Sequence, residues 1–173
     1  MSLVFLLGGA RSGKSELALR FAEESAAPVT FLATGEAGDE EMAERIDAHR
    51  RLRPAGWTTV EEPRELCAAI GRVAPAETLV VDCLSLWVAN VLERGDPRSV
   101  ELTGAASARA AATRAGLTIA VSNEVGLGIV PATPLGRLYR DVLGRVNAAW
   151  VAEADRALFV VAGRTIPLEE VSL

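Results

Sequence analysis

Lysine is almost missing from this chain: of its 18 basic residues 17 are arginine, and Lys14 stands alone. Histidine and tyrosine also occur once each, and cysteine twice. Cys67 and Cys83 have neither metal-ligand spacing nor a disulfide framework around them, so both read as reduced, packed residues. No apolar run approaches the roughly 20 residues that a helix needs to cross a bilayer, which argues against membrane insertion. Positive charge is in deficit, with a net charge of -5, so there is no electrostatic footprint for nucleic acid or an anionic membrane surface. Small molecules are the expected partners, and anionic ones must be held by local geometry. The opening segment 3–7 has no basic lead or small-residue cleavage site and runs straight into Gly8-Gly9, so it reads as a buried strand and not as a signal peptide.

What is present fits one domain spanning 1–173, since half the residues are hydrophobic and no repeat or linker divides them. Short runs rich in β-branched residues at 3–7, 29–33, 78–81, 117–121 and 157–161 predict central strands. Helical spacing at 14–24, 40–52, 64–73, 84–93 and 135–153 falls between them and predicts an α/β fold, a mainly parallel sheet flanked by helices. A further short strand is expected at 57–60. The Ala-rich 103–115 predicts a weaker helix that Gly104 and Gly116 fray or break. Ligands in such sheets collect at the carboxyl ends of the strands, which directs attention to Gly8 onward, Thr34-Gly35, Asp82 and Ser122-Asn123-Glu124.

Gly8-Gly9-Ala10-Arg11-Ser12-Gly13-Lys14-Ser15 matches G-x-x-x-x-G-K-[ST], and it stands between a hydrophobic strand and an amphipathic helix as that P-loop motif requires. The glycines let successive backbone N–H groups and the helix N-terminus point at phosphates. Lys14 places a compact charge on the β and γ oxygens, and the Ser15 hydroxyl can ligate Mg²⁺. That a chain otherwise built with arginine keeps an ammonium here strengthens the reading against an accidental Gly-rich turn. Leu79-Val80-Val81-Asp82 fits the companion pattern, an apolar strand ending in an acid that holds Mg²⁺; its bland alternative is a cap for the helix near Leu84.

Asp39 is the expected N-cap of the helix 40–52, with Glu40 and Glu41 in its first turn. Met42, Ile46 and His49 follow at i, i+4 and i+7, which turns His49 toward the protein body and sends Glu44, Asp47 and Arg51 elsewhere. An ordinary imidazole titrates near pH ~6.5, so much of it is neutral and nucleophilic at cellular pH. On pattern alone, a packed histidine with one hydrogen bond is the commoner outcome, and arginines at a helix end are usually a solvated face.

At this point the chain resembles a known family, the bifunctional adenosylcobinamide kinase/adenosylcobinamide-phosphate guanylyltransferases of cobalamin biosynthesis. The likeness runs from the P-loop through Leu32-Ala33-Thr34, Asp39-Glu40-Glu41-Met42, Arg45-Ile46, His49, Arg53-Pro54, Trp57 and Glu61. It continues in the stretch from Val121-Ser122-Asn123-Glu124 through Val125-Gly126-Leu127-Gly128 to Ile129-Val130-Pro131. Tyr139-Arg140-Asp141 and Gly144-Arg145-Val146-Asn147 complete it. The P-loop is generic, whereas Ser-Asn-Glu-Val-Gly and Arg-Ile-x-x-His are specific to this group. Against the family pattern, the segment 93–115 looks short and Ala-rich.

The resemblance implies two reactions. ATP or GTP phosphorylates the aminopropanol hydroxyl of adenosylcobinamide, and GMP from GTP is then joined to that phosphate with release of pyrophosphate. It implies that the second step passes through a guanylylated histidine matching His49, with Lys14 stabilising the departing pyrophosphate. By the same mapping Ala33, Thr34, Gly35, Arg50, Arg51, Leu52, Arg53, Glu61 and Asp82 are expected nucleotide contacts, with Ser15 and Asp82 on Mg²⁺. Asn123, Glu124 and Arg145 are expected in the corrinoid or catalytic pocket. A cytoplasmic homo-oligomer, a trimer, is also implied. Two alternatives stay open: a kinase without nucleotidyl transfer, which needs no nucleophilic imidazole, and a nucleotide-dependent switch. The Asn-Lys-x-Asp of guanine-specific switches is missing, because Lys14 is the sole lysine.

Overall fold

The computed structural model describes residues 3–170. Six parallel strands and one antiparallel strand form a single sheet. In chain order they are β1 (Leu3–Gly8), β2 (Val29–Ala33), β3 (Thr58–Glu61), β4 (Thr78–Asp82), β5 (Thr118–Asn123), β6 (Arg156–Val161) and β7 (Arg164–Pro167). The helices are α1 (Lys14–Glu23), α2 (Glu40–Arg51), α3 (Leu66–Arg72), α4 (Leu84–Leu92), α5 (Pro97–Ala112) and α6 (Pro134–Glu153). Strand order is β3-β2-β4-β5-β1-β6-β7, so β1 lies between β5 and β6, and β5 separates it from β4.

The central strands are apolar throughout because helices cover both faces. Along β1, Leu3, Phe5 and Leu7 pack with α3, α4, α5 and α6, while Val4 and Leu6 face the other way, against Ala18 and Ala22 of α1. Phe5 and Trp150 stack at the centre of the larger cluster. Helix α2 contributes no residue to either buried cluster among the described residues, and its ends are set locally: the Asp39 carboxylate accepts the Met42 N–H at 2.8 Å, as expected of an N-cap.

Three elements differ from expectation. Helix α5 is continuous from Pro97 to Ala112 and runs through Gly104 without a break. There a Cβ would sit 2.9 Å from Val146 Cγ2, so the missing side chain lets α5 approach α6 closely. Asp96 starts this helix by accepting the Arg98 and Ser99 N–H groups, with Pro97 at the first turn. Helix α3 is shorter than predicted; at its C-terminal end and beyond, Arg114 donates to the Ile70, Val73, Ala74 and Glu77 carbonyls. Finally, β7 is a strand with no apolar signature: all four residues are exposed and pair only with β6.

Candidate active site

The P-loop leaves β1 and enters α1. Its curl needs left-handed backbone at Arg11 (φ 56°) and at Gly13 (φ 99°), the N-cap of α1, which turns neighbouring N–H groups inward as an anion cradle. Gly8 is required for a different reason, since a Cβ there would run into the Val160 carbonyl of β6. Lys14 is buried, and its Nζ donates to the Gly9 carbonyl at 2.6 Å and to Ser12 Oγ at 3.3 Å. Burial pushes its pKa down, against the opposing influence of Cys83 and Asp82. The tip of the β6–β7 hairpin backs the loop: the Gly163 N–H donates to the Ser12 carbonyl at 2.9 Å.

In front of the loop opens a cleft of about 970 Å³, within the range of small-molecule sites. It brings together Ala10 to Ser15, Ala33, Gly35, His49, Arg50, Leu52, Arg53, Glu61 and Asp82. Met42 and Ile46 line it beside His49, in keeping with the helical stripe. Asp82 ends β4 with its side chain only 9% exposed, and one carboxylate oxygen lies 3.8 Å from His49 Nδ1. It is not a helix cap: α4 begins on Cys83, which makes no side-chain cap bond. His49 itself is half exposed toward the cleft.

The far wall is basic and aromatic. The Arg53 guanidinium lies 4.0 Å over the Phe31 ring, and Arg50 forms an ion pair with Glu61. Burial lowers the Arg53 pKa, whereas the hydrogen bond to Glu61 raises that of Arg50. Phe31 had no motif to announce it; only its place on β2, one strand from Asp82, puts it in the cleft.

Several expected residues stand elsewhere. Gly8 and Gly9 form the back of the loop and do not line this cleft. Thr34 is buried behind it, donating from Oγ1 to the Cys83 carbonyl at 2.7 Å and accepting the Cys83 N–H at 2.9 Å, so it fixes the turn after Asp82. Arg51 is turned away, its Nε donating to the Asp47 carbonyl, while Asp47, expected to point elsewhere, lines the cleft and pairs with Arg50. Arg145 pairs with Glu101 on α5 and lines neither this cleft nor the smaller cavity beside it. Asn123 does line the cleft, held by a polar chain inside the fold. Its Nδ2 donates to Ser85 Oγ at 3.0 Å, its carbonyl accepts from Asn147 Nδ2 at 3.1 Å, and Ser122 Oγ donates to Asn147 Oδ1 at 2.6 Å. Cys83 is sealed against the same Ser85, and burial pushes its thiol up to about 11.

Among the described residues no helix is long and apolar enough to cross a membrane. Solved structures share the architecture at low identity, which bears on the fold alone. A Pyrococcus horikoshii protein aligns over 99% of this chain and 87% of its own, at a TM-score of 0.59 and 8% identity. An ATPase of the type III secretion system of pathogenic bacteria aligns over 91% and 50%, at 0.54 and 14%. The fold is that of P-loop NTPases. In sequence, the chain is 46% identical over 165 residues to the bifunctional adenosylcobalamin biosynthesis protein CobP of Pseudomonas aeruginosa, covering 95% of each. It is 36% identical over 179 residues to the CobU protein of Salmonella typhimurium, covering 93% of this chain and 96% of that one. The family model described as cobinamide kinase / cobinamide phosphate guanyltransferase matches residues 4–168, and the chain belongs to that family.

Proposed function

We propose that the cleft performs both reactions of the family, phosphorylation of adenosylcobinamide by ATP or GTP and transfer of GMP from GTP through His49, to give adenosylcobinamide-GDP. The observation that carries this reading is the meeting of His49, Asp82 and the Lys14 loop on one cavity. In the transfer, a neutral ring nitrogen of His49 attacks the α-phosphorus. An N–P bond forms, the bond from that phosphorus to its bridging oxygen breaks, and pyrophosphate leaves beside Lys14. An oxygen of the acceptor phosphate then attacks the same phosphorus, and the P–N bond breaks to free His49. Asp82 on the Nδ1 side favours a proton on that nitrogen, which presents Nε2 as the nucleophile. Arg53 on Phe31, and Glu61 with Arg50, offer a flat cationic surface and carboxylate acceptors for base and ribose.

Mg²⁺ belongs to the same reading. Ser15 and Asp82 both line the cleft, and no group of three or more His, Cys, Asp or Glu side chains gathers around a metal among the described residues. That donor set fits a cation completed by phosphate oxygens and water. Bound there, it would neutralise charge developing on the phosphates. A cytoplasmic enzyme working as a homo-oligomer, a trimer, completes the proposal, on the strength of family likeness.

The test is incubation with Mg²⁺ and GTP labelled at the α-phosphate, without acceptor. An acid-labile, base-stable GMP adduct on His49 is expected by intact mass and peptide mapping. His49→Asn should abolish nucleotide transfer and keep appreciable kinase activity. Equal loss of both activities, or no adduct while GTP still binds, overturns the role given to His49.

A further inference from the structure

A second cavity, of about 300 Å³, lies behind the phosphate loop. Gly9, Ala10, Arg11 and Ser12 form one side of it, and Glu124, Leu127 and the end of β6 form the other. Ala10, Arg11 and Ser12 line both cavities, so the two meet along the first half of the P-loop. Lys14 Nζ sits against the Gly9 carbonyl, which marks the Gly9 end of the loop as the place for the terminal phosphate oxygens. A Cβ on Gly9 would meet nothing within 4 Å, so no side chain screens that end.

A phosphoryl acceptor must approach in line, opposite the leaving oxygen, with a base within reach of its proton. The other acids near the loop line the first cleft and not this cavity: Asp82 faces His49, Asp47 and Glu61 pair with Arg50, and Glu16 and Glu23 stand on α1. Glu124 is the one acid lining the second cavity among the described residues. Its backbone N–H donates to the Gly8 carbonyl at 3.0 Å, which extends the β5–β1 ladder and anchors it at the root of the P-loop. Oε1 accepts the Gly126 N–H and orients the carboxylate, which keeps a second oxygen for a donor. The segment that supplies Leu127 to the cavity gives it an apolar rim: Leu127 is 80% exposed and Ile129, two residues on, is 98% exposed. Apolar side chains left in solvent beside a cavity suit an apolar ligand.

We propose that this cavity and its rim take the corrinoid acceptor of the kinase step, with Glu124 as the catalytic base. The cavity admits only the slim arm that ends in the hydroxyl, while the broad macrocycle lies on the Leu127–Ile129 rim. Glu124 takes the hydroxyl proton as that oxygen bonds to the γ-phosphorus. The bond from the γ-phosphorus to the β–γ bridging oxygen breaks, and the nucleoside diphosphate leaves with that electron pair beside Lys14. The inference rests on the family's kinase reaction and not on the role of His49.

Two measurements on the same protein test it: phosphorylation of cobinamide by γ-labelled nucleotide, and GMP-adduct formation without acceptor. Glu124→Gln keeps an oxygen for the Gly126 N–H and loses the base, so kinase kcat should fall by about 100-fold or more while adduct formation stays within about twofold. A kinase rate near that of the unmodified protein, or a parallel loss of adduct, overturns the base role. Leu127→Ser leaves the carboxylate intact and should raise KM for cobinamide about tenfold, with KM for nucleotide unchanged. An unchanged cobinamide KM, or a change in sedimenting mass showing that a second copy covers the rim, overturns the docking site. Absence of adduct in the unmodified protein would count against His49 alone, because the kinase comparison stands without it.

Discussion

Burial divides the two cysteines. Cys83 is sealed between β4 and α4 with its thiol raised to about 11, whereas Cys67 on α3 is only partly covered. A raised thiol pKa leaves less thiolate at any given pH, so iodoacetamide at pH 8 should label Cys67 and spare Cys83 until the protein is denatured. Peptide mass spectrometry checks this, and rapid labelling of Cys83 in the folded protein would contradict its burial. That Lys14, Ser15, Asp82 and His49 would share one cleft was legible at this scale because each sits at a fixed offset from a pattern: a loop motif, a strand end, a helical stripe. The helical stripe also turned Arg51 away correctly, against the family mapping, but it misplaced Asp47, which Arg50 holds in the cleft, and no local spacing could place Arg145. Glu101 draws Arg145 to α5 across 44 residues, a contact no local spacing encodes. Phe31 escaped notice for the opposite reason: an aromatic inside an apolar strand looks like core from the sequence.

Among the elements, α5 shows how composition misleads. A glycine inside a helix costs about 1 kcal/mol relative to alanine, which argues for a break at Gly104. The cost is offset because the bare backbone admits Val146 and Trp87 at close range. Gly104→Val should therefore destabilise the protein by about 1–3 kcal/mol through overpacking, despite removing a glycine. Urea denaturation gives the value, and a stabilised variant would show that the α5–α6 approach is looser than described. The inner strands were readable because burial on both faces makes them continuously apolar, as in Leu3–Gly8. β7 was unreadable because Arg164-Thr165-Ile166-Pro167 is held by backbone pairing to β6, with every side chain in solvent.

For the whole molecule, half-hydrophobic composition and strand–helix alternation were enough to indicate one α/β domain, but strand order was not available from spacing. Sheet order places β5 between β1 and β4, and that arrangement sets Asn123 in the cleft between the P-loop and Asp82. Sedimentation equilibrium at micromolar concentration should return a trimer mass, and a monomer at that concentration would remove the oligomeric part of the proposal.

The pairing of β1 bears on how the chain becomes an enzyme as it is made. Leu3 finds its partner on one side at Thr118, Val4 finds its partner on the other at Arg156, and Gly163 closes the back of the loop that begins at Gly8. The phosphate-binding motif is thus complete in sequence at Ser15 but held in shape only by strands that lie far along the chain from it. A nascent chain halted before residue 156 carries the entire motif, yet has only one of the two strands that hold it in shape. A shaped nucleotide site is in this way tied to the arrival of β6 and the hairpin that follows it, long after the motif itself has been made.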